Sequence, residues 1–358
     1  MKKLLFYTLS LVLLSININA QDVDTVKAVI TDSESQYQLL YNSGIKSIED
    51  KQYKNAIQQF DEALKINPNF AKAYYNKAVA QKELGLLKEA LLNLNKCLEL
   101  DNANANAYFT RAQVNSALNL NAEAIKDYDL ATRNNPNYSQ AYYYQGVLFF
   151  NTNEYQKAVD AFTQAITLDK NYAYAYNDRA SAYRKLEKYA ESIKDYETAL
   201  KIEPNMSFAN NNLGSVKVDK KDYKAAIEDY TKAINNKKDY YLAYNNRGIA
   251  KFDLEDFEGA IKDYTKAIEL KADYAYAYNN RGNVFFKQKK YKEALADYNK
   301  AIELNASYGF AYLNRGICKE MLRDPKGACE DWQKAFELGV KNAETYVNTQ
   351  CGKYIKKQ

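Results

Sequence analysis

The stretch Ala275–Tyr308, AYAYNNRGNVFFKQKKYKEALADYNKAIELNASY, decides the fold of this 358-residue chain. Its pattern returns every 34 residues from Tyr37 through Asn342, without insertion or deletion. The nine repeats start at Tyr37, Ala71, Ala105, Ser139, Ala173, Ser207, Tyr241, Ala275 and Gly309. With only four prolines and no Gly/Ser-rich linker, a period of this length predicts a stacked helical array.

Small and bulky residues alternate at fixed positions of the repeat. Positions are counted from the first residue of each repeat. Position 8 is Gly or Ala in all nine repeats, and positions 20 and 27 are each Ala in eight of them. Two antiparallel helices approach closely only where the facing side chains are small, and the bulky rings at positions 4 and 24 fill the space beside that contact. Each helix pair leaves apolar faces uncovered, so it must stack on its neighbours. We therefore expect an all-α fold, an α-solenoid of nine helix pairs.

This pattern resembles the tetratricopeptide repeat (TPR) family, and the resemblance covers residues 37–342. It implies a right-handed superhelix in which the first helix of each pair, helix A, lines a concave groove. TPR arrays bind peptide or protein segments there. The resulting domain plan is a leader at 1–20, a linker at 21–36, nine repeats at 37–342, and a capping helix with a basic tail at 343–358.

The first 20 residues, MKKLLFYTLSLVLLSININA, have the pattern of a secretory signal peptide. Lys2 and Lys3 precede an apolar run of 11 residues, Leu4–Leu14, which is shorter than the roughly 20 residues that cross a bilayer as a helix. We expect cleavage near Ala20 and an exported protein, periplasmic or secreted, with no membrane span in the mature chain. An uncleaved N-terminal anchor is the alternative.

Composition excludes several kinds of site. The chain has no histidine, which removes the usual general base and the commonest metal ligand. The net charge of +5 is too small for a nucleic-acid binder that depends on phosphate contacts. No paired carboxylates, Walker loop or metal-ligand cluster stands out from the repeat framework. We therefore predict a non-enzymatic protein without cofactor, metal or nucleic-acid partner.

Arginine at position 7 occurs together with aspartate at position 23. A guanidinium already paired with a carboxylate is poorly available to a ligand, so we predict structural ion pairs between helices rather than an anion-binding row. The pairs are Arg111 with Asp127, Arg179 with Asp195, Arg247 with Asp263, Arg281 with Asp297, and Arg315 with Asp331.

The resemblance places positions 2, 5, 6, 9, 12 and 13 of helix A on the concave face. Asparagines recur there, and the row is similar to the asparagine ladder in the TPR superhelix of O-linked N-acetylglucosamine transferases. An amide both donates and accepts, so a row of amides suits an extended peptide backbone. The expected groove residues are Asn212, Asn246, Asn280, Asn314, Asn177, Asn211, Asn245 and Asn279, with the rings of Tyr174, Phe208, Tyr276, Phe310, Phe252 and Phe286.

Two functions follow from this face. The first is a protein–protein interaction scaffold that binds an extended peptide segment, in envelope assembly, secretion or organisation. The alternative is a carbohydrate or cell-wall glycan, which the rings stack against while the amides contact hydroxyls. The TPR clamp for C-terminal carboxylates is not expected, because position 5 carries no lysine and Asn283 is the only asparagine at position 9.

The four cysteines lie far apart in sequence. Cys97 stands where the other eight repeats have Ala, which indicates a packing residue. We expect residues 343–354 to form the capping helix, and in an oxidising compartment a Cys329–Cys351 disulfide would fasten it. Cys318 is the competing partner.

Overall fold

The computed structural model describes residues 36–353, and within them the regular structure is helical throughout. The predicted leader and most of the linker lie outside these residues. The described chain divides into two compact units, residues 36–202 and residues 203–353, which we name the N-terminal block and the C-terminal block.

The N-terminal block contains ten helices, which pack as five consecutive antiparallel pairs. Their bounds are α1 Gln36–Glu49, α2 Tyr53–Ile66, α3 Ala71–Glu83, α4 Leu87–Leu100, α5 Ala105–Ala117, α6 Asn121–Asn134, α7 Ser139–Asn151, α8 Tyr155–Leu168, α9 Ala173–Lys185 and α10 Tyr189–Ile202. Helices with odd numbers are the A helices of the repeats.

The C-terminal block contains four further pairs and a terminal helix. Their bounds are α11 Ser207–Asp219, α12 Tyr223–Asn236, α13 Tyr241–Asp253, α14 Phe257–Leu270, α15 Ala275–Lys287, α16 Tyr291–Leu304, α17 Gly309–Met321, α18 Pro325–Glu337 and α19 Ala343–Gln350. The all-α TPR solenoid is confirmed, and all A helices except α1, which begins one residue earlier, begin at the residues where the sequence repeats begin.

Each helix pair is held by the contact between position 8 and position 24. In the repeat that starts at Tyr241, a Cβ added to Gly248 would lie 2.7 Å from a ring carbon of Tyr264, which is fully buried. The alanines at position 20 and position 27 of this repeat, Ala260 and Ala267, are also fully buried. The ring therefore packs directly on helix A, because nothing larger than these residues separates the two backbones.

The second helix of each pair is helix B. Every turn from helix A to helix B has a residue with positive φ at position 15. Gly85 has this conformation with φ +74°, but the other eight repeats use side-chain-bearing residues such as Glu255, with φ +62°. The backbone of the next residue, Asp256, then donates to the Lys251 carbonyl at 2.9 Å, which closes the end of helix α13. The left-handed residue costs free energy in most repeats, since only glycine adopts it readily.

The C-terminal end of the stack is covered by α19. Cys329 and Cys351 form a disulfide bond across 22 residues of chain, and Tyr346 stacks on Trp332 with ring centroids 4.8 Å apart. The cap is shorter than expected, because α19 ends at Gln350 rather than continuing to residue 354. Cys318, the competing partner, is a buried free thiol.

Candidate functional site

All five arginines of position 7 are held inside the scaffold. In a representative case, Arg247 donates from Nε and Nη2 to both carboxylate oxygens of Asp263 at 2.8 and 2.7 Å, and from Nη1 to Thr231 Oγ1 at 3.0 Å. The guanidinium carbon also lies 5.6 Å from the Tyr244 ring centroid. The other four pairs have the same bidentate geometry: Arg111–Asp127, Arg179–Asp195, Arg281–Asp297 and Arg315–Asp331. These arginines therefore link neighbouring repeats and offer little to a ligand.

The asparagines of positions 5 and 6 form a ladder between repeats of the C-terminal block. Three position-6 amides, those of Asn246, Asn280 and Asn314, donate to the position-5 amide of the preceding repeat. The distances from Nδ2 to Oδ1 are 3.0 Å for Asn246 to Asn211, 3.0 Å for Asn280 to Asn245 and 2.9 Å for Asn314 to Asn279. The ladder therefore joins adjacent repeats of the protein to one another without a ligand.

Burial divides this row into two groups. Six of the eight predicted amides are buried and are engaged within the protein: Asn177, Asn211, Asn212, Asn245, Asn246 and Asn279. Asn280 and Asn314 are only half-buried. The expectation of one continuous row facing a ligand is thereby corrected, because the ladder register turns most of the amides toward the adjacent repeat.

The N-terminal block makes the same link with different residues. Tyr143, at position 5, donates its hydroxyl to Asp178 Oδ2 at 2.8 Å, and Asn177 Nδ2 donates to the other oxygen of Asp178 at 2.8 Å. Tyr174 packs against the same cluster as Tyr143. Tyr174 and Asn177 therefore lie in a filled part of the N-terminal block.

A cavity of about 240 Å³ opens in the C-terminal block along the A helices α13, α15 and α17, and we name it the A-helix cavity. Seven of the predicted groove residues line it: Asn279, Asn280, Asn314, Tyr276, Phe252, Phe286 and Phe310. Its other lining residues are Ile249, Tyr264, Asn283, Lys287, Tyr298, Tyr308 and Ile317. Phe208 belongs to this block but lies outside the cavity, packed against Ala233, Ile234 and Tyr240.

The walls of the A-helix cavity are apolar and are fixed by ring contacts. Phe286 contacts the Tyr291 ring with centroids 5.4 Å apart and the ring planes tilted by 59°, and Tyr276 contacts Tyr308 with centroids 4.6 Å apart. Phe252 and Phe286 are half-buried, so part of each ring faces the open space. A ring held by its neighbours loses little rotamer freedom when it contacts a ligand.

Several amide hydrogens of the cavity make no hydrogen bond within the described residues. The Tyr298 hydroxyl donates to Asn283 Oδ1 at 2.9 Å, which turns the amide nitrogen of Asn283 outward, without a partner among residues 36–353. Asn280 and Asn314 each use one amide hydrogen in the ladder and keep the second. Burial raises the pKa of Tyr298 far above its usual value, so this hydroxyl stays protonated as a donor.

Sequence reasoning did not select Asn283 as a site residue, and it missed Ile249, Lys287 and Ile317 entirely. All four occupy position 9 or 13 of helix A, which the family pattern assigns to the concave face. The missed signal was the run of Ile249, Asn283 and Ile317 at position 9, beside phenylalanines at position 12. The recurrence of asparagine at positions 5 and 6 instead marks the largely buried ladder.

Other kinds of site are not found in the described part of the chain. Residues 36–353 contain no group of three or more acidic or cysteine side chains placed to hold a metal ion. Within the same residues, no helix combines the length and apolar character needed to cross a bilayer. Burial raises the pKa of the Cys97 thiol to about 12 and that of Cys318 to about 11, so neither is a ready nucleophile near neutral pH.

Family comparisons cover most of the chain. One tetratricopeptide repeat model matches residues 139–172, 173–206 and 275–308, and another matches 71–104, 105–138 and 209–240. A TPR repeat model matches residues 48–85 and 250–289. No protein with a curated description matches the chain.

Three solved structures are similar to this chain at low sequence identity. A chain of the APC/C hetero-tetramer Cut9–Hcn1 is 14% identical with a TM-score of 0.56, covering 87% of this chain and 75% of its own. PilF of Pseudomonas aeruginosa is 16% identical with a TM-score of 0.51, covering 57% and 92%. The MamA protein is 25% identical with a TM-score of 0.45, covering 47% and 92%.

The first two structures support the fold alone, and the family models, which together reach from residue 48 to residue 308 with two short gaps, support the identity of the repeats. The chain belongs to the tetratricopeptide repeat family, whose stacked helix pairs serve as scaffolds for protein–protein interaction.

Proposed function

We propose that the A-helix cavity binds an extended segment of a partner protein. The observation that carries this proposal is the combination of three half-buried phenylalanines with amide hydrogens that make no hydrogen bond within the described chain. Phe252, Phe286 and Phe310 supply the apolar wall, and Asn283 and Asn314 supply the donors. An apolar side chain next to a peptide carbonyl satisfies both features at once.

The size of the cavity favours a side chain over a larger ligand. Its volume of about 240 Å³ is below the ~300–1,000 Å³ of sites for drug-sized molecules. One large side chain fills such a space while the peptide backbone runs past the amides. We therefore expect the cavity to bind one large apolar side chain, the anchor, of a longer peptide segment.

The energetics also require an apolar anchor. A net hydrogen bond contributes about 1 kcal/mol, whereas micromolar affinity needs about 8 kcal/mol. The remaining hydrogens of Asn280, Asn283 and Asn314 fall short of this by themselves. Burial of one large apolar side chain adds about 1.5–3 kcal/mol, and flanking contacts along α13 and α17 contribute the rest.

The composition of the wall favours a peptide over a glycan. The half-buried rings of the A-helix cavity at position 12, Phe252 and Phe286, are phenylalanines without a polar edge, and they stand beside Ile249, Ile317 and Phe310. A protein segment with apolar side chains matches this chemistry better than a wall glycan.

A role in envelope assembly, secretion or organisation is part of the same proposal. It depends on the signal peptide predicted for residues 1–20, which lie outside the described residues. Export therefore stays a prediction, and an N-terminal sequence of the protein isolated from an envelope fraction tests it.

The peptide proposal is tested by selection from a displayed library of random short peptides. The wild-type chain is compared with Phe286→Glu, which places in the cavity the residue that Glu320 already provides at position 12 of the next repeat. Phe150→Glu is the matched control. Phe150 occupies position 12 in the N-terminal block and contacts Tyr155 with centroids 5.3 Å apart, much as Phe286 contacts Tyr291.

We expect peptides to be enriched on the wild type and on Phe150→Glu, and the enrichment to be lost on Phe286→Glu. Equal helical content and melting temperature of the two variants, measured by circular dichroism, exclude unfolding as the cause. Equal enrichment on all three proteins would show that peptides bind elsewhere, and absence of enrichment on the wild type would refute peptide binding itself.

A further inference from the structure

The charge of the A-helix cavity specifies its partner further, and this inference rests on the peptide proposal. Among the fourteen lining residues, Lys287 is the only one that carries a formal charge. The wall therefore combines one positive charge and several amide donors with no negative group. A ligand with a carboxylate adds an ion pair with the Lys287 ammonium group, whereas a neutral ligand does not.

Lys287 differs from the other lysines of the A helices in this block. Lys217 pairs with Asp229 at 2.5 Å, Lys251 with Asp263 at 2.8 Å and Lys319 with Asp331 at 2.9 Å. Lys287 is exposed and has no ion pair or hydrogen bond within residues 36–353. Three of these four lysines therefore form ion pairs within the protein, and Lys287 remains available to pair with a carboxylate of a ligand.

We propose that the partner segment carries an aspartate or glutamate side chain within two residues of its apolar anchor, and that this carboxylate pairs with Lys287. The anchor contacts Phe252 and Phe286, and an amide donor such as Asn283 Nδ2 supplies further hydrogen bonds to carbonyl or carboxylate oxygens.

Acidic residues in the neighbouring repeats favour a partner with a single carboxylate. Asp253 stands at position 13 of the preceding repeat and Glu320 at position 12 of the following one. A run of acidic residues would bring like charges toward these two groups, which opposes binding. The predicted segment is therefore an isolated acidic residue beside an apolar one, rather than a polyacidic stretch.

A charge swap tests the proposal. Random peptides are displayed with their C-termini fused to the carrier, so that every selected carboxylate belongs to a side chain. They are selected on the wild type, on Lys287→Glu and on the control Lys292→Glu, which alters an exposed lysine of α16 outside the cavity. We expect apolar–acidic peptides from the wild type and the control, and apolar–basic peptides from Lys287→Glu.

Affinities of the selected peptide give the size of the effect. For the wild-type peptide we expect Lys287→Glu to raise the Kd about tenfold and Lys287→Met about threefold, since the lysine is exposed. Replacing the peptide carboxylate by its amide should raise the Kd about threefold on the wild type and leave it unchanged on Lys287→Met.

The outcomes separate the two proposals. Selected peptides that are apolar but show no acidic preference, and that are the same on Lys287→Glu, would overturn the inference and leave the peptide proposal intact. Loss of all selection on the wild type would overturn both. Equal effects of Lys287→Glu and Lys292→Glu would indicate long-range charge rather than pairing at the cavity, and would also overturn the inference.

Discussion

The two blocks of the chain share one repeat frame but link their repeats with different chemistry. In the N-terminal block, position 5 is a ring in the first four repeats: Tyr41, Tyr75, Phe109 and Tyr143. In the C-terminal block it is asparagine in three repeats: Asn211, Asn245 and Asn279. The partner is position 6 of the next repeat in both, as in the bond from Asn76 Nδ2 to Tyr41 Oη at 2.8 Å and that from Asn280 to Asn245 at 3.0 Å.

The difference shows how a repeat protein opens a site without changing its backbone. A ring at position 5 packs against position 6 of the next repeat with a bulky side chain, as Phe109 does with Tyr144 at a centroid distance of 5.8 Å. Asparagine makes the same link with a smaller side chain. The A-helix cavity lies where Asn279 and Asn280 make this link, beside the phenylalanines of position 12.

The largest expected change in unfolding free energy concerns the Arg–Asp ion pairs. Both blocks contain them, but the aspartates differ in the number of cations that pair with them. Asp195 is buried and pairs only with Arg179 among the described cations, whereas Asp263 pairs with Arg247 and also with Lys251 at 2.8 Å. Arg179→Met should cost about 3–5 kcal/mol, because it leaves a buried carboxylate without a cation. Arg247→Met should cost about 1–2 kcal/mol less. Urea unfolding followed by circular dichroism measures both, and equal losses would contradict this account.

The disulfide is next in size and belongs to the C-terminal block. Closing a loop of 22 residues stabilises the folded state by about 3 kcal/mol. Reduction should therefore loosen α19 and the end of α18 while the N-terminal block is unaffected. Denatured, unreduced protein should show two reactive thiols, Cys97 and Cys318, and a count of four would refute the Cys329–Cys351 bond.

The asparagine ladder predicts a smaller and strongly coupled effect. Asn245→Leu should cost about 2 kcal/mol, because it removes the acceptor of Asn280 and leaves buried polar groups unsatisfied. Adding Asn280→Leu should recover about 1 kcal/mol, since both ends of that bond are then apolar. A double-mutant cycle measured by urea unfolding tests this, and additive losses would mean that the two amides are not coupled.

Much of this comparison could be predicted from the sequence, and some of it could not. The 34-residue period predicted the repeat starts because small residues at positions 8, 20 and 27 are unavoidable where helices touch. Arginine at position 7 and aspartate at position 23 occur together, which predicted pairs such as Arg247–Asp263. The fold is a consequence of these local constraints, and it is confirmed.

The groove was harder to predict because it depends on how one repeat sits on the next. Asn246 and Asn280 carry the same residue type at the same position, yet one is buried and the other is half-buried at a cavity. The sequence does not show whether a side chain at position 6 is buried against position 5 of the preceding repeat or is exposed at a cavity. It assigns Lys287 to the concave face by its position 13, but it does not show that this lysine has no partner among the described residues.

The smallest effect is expected at the corresponding link of the N-terminal block. Tyr143→Phe removes the bond to Asp178 but keeps the ring, and the Asp178 carboxylate retains the bond from Asn177 at 2.8 Å. The cost should be about 1.5 kcal/mol, typical of one hydrogen bond to a charged group. Thermal unfolding of Tyr143→Phe beside Asn245→Leu ranks the two links, and a larger loss for Tyr143→Phe would reverse the proposed order.

The central claim is that the asparagine-linked repeats, rather than the ring-linked ones, hold the binding site. Hydrogen exchange of the full chain with and without the selected peptide tests it most directly. We predict slower exchange in α13, α15 and α17 on binding, with exchange in α1–α10 unchanged. Protection confined to α1–α10 would contradict the account.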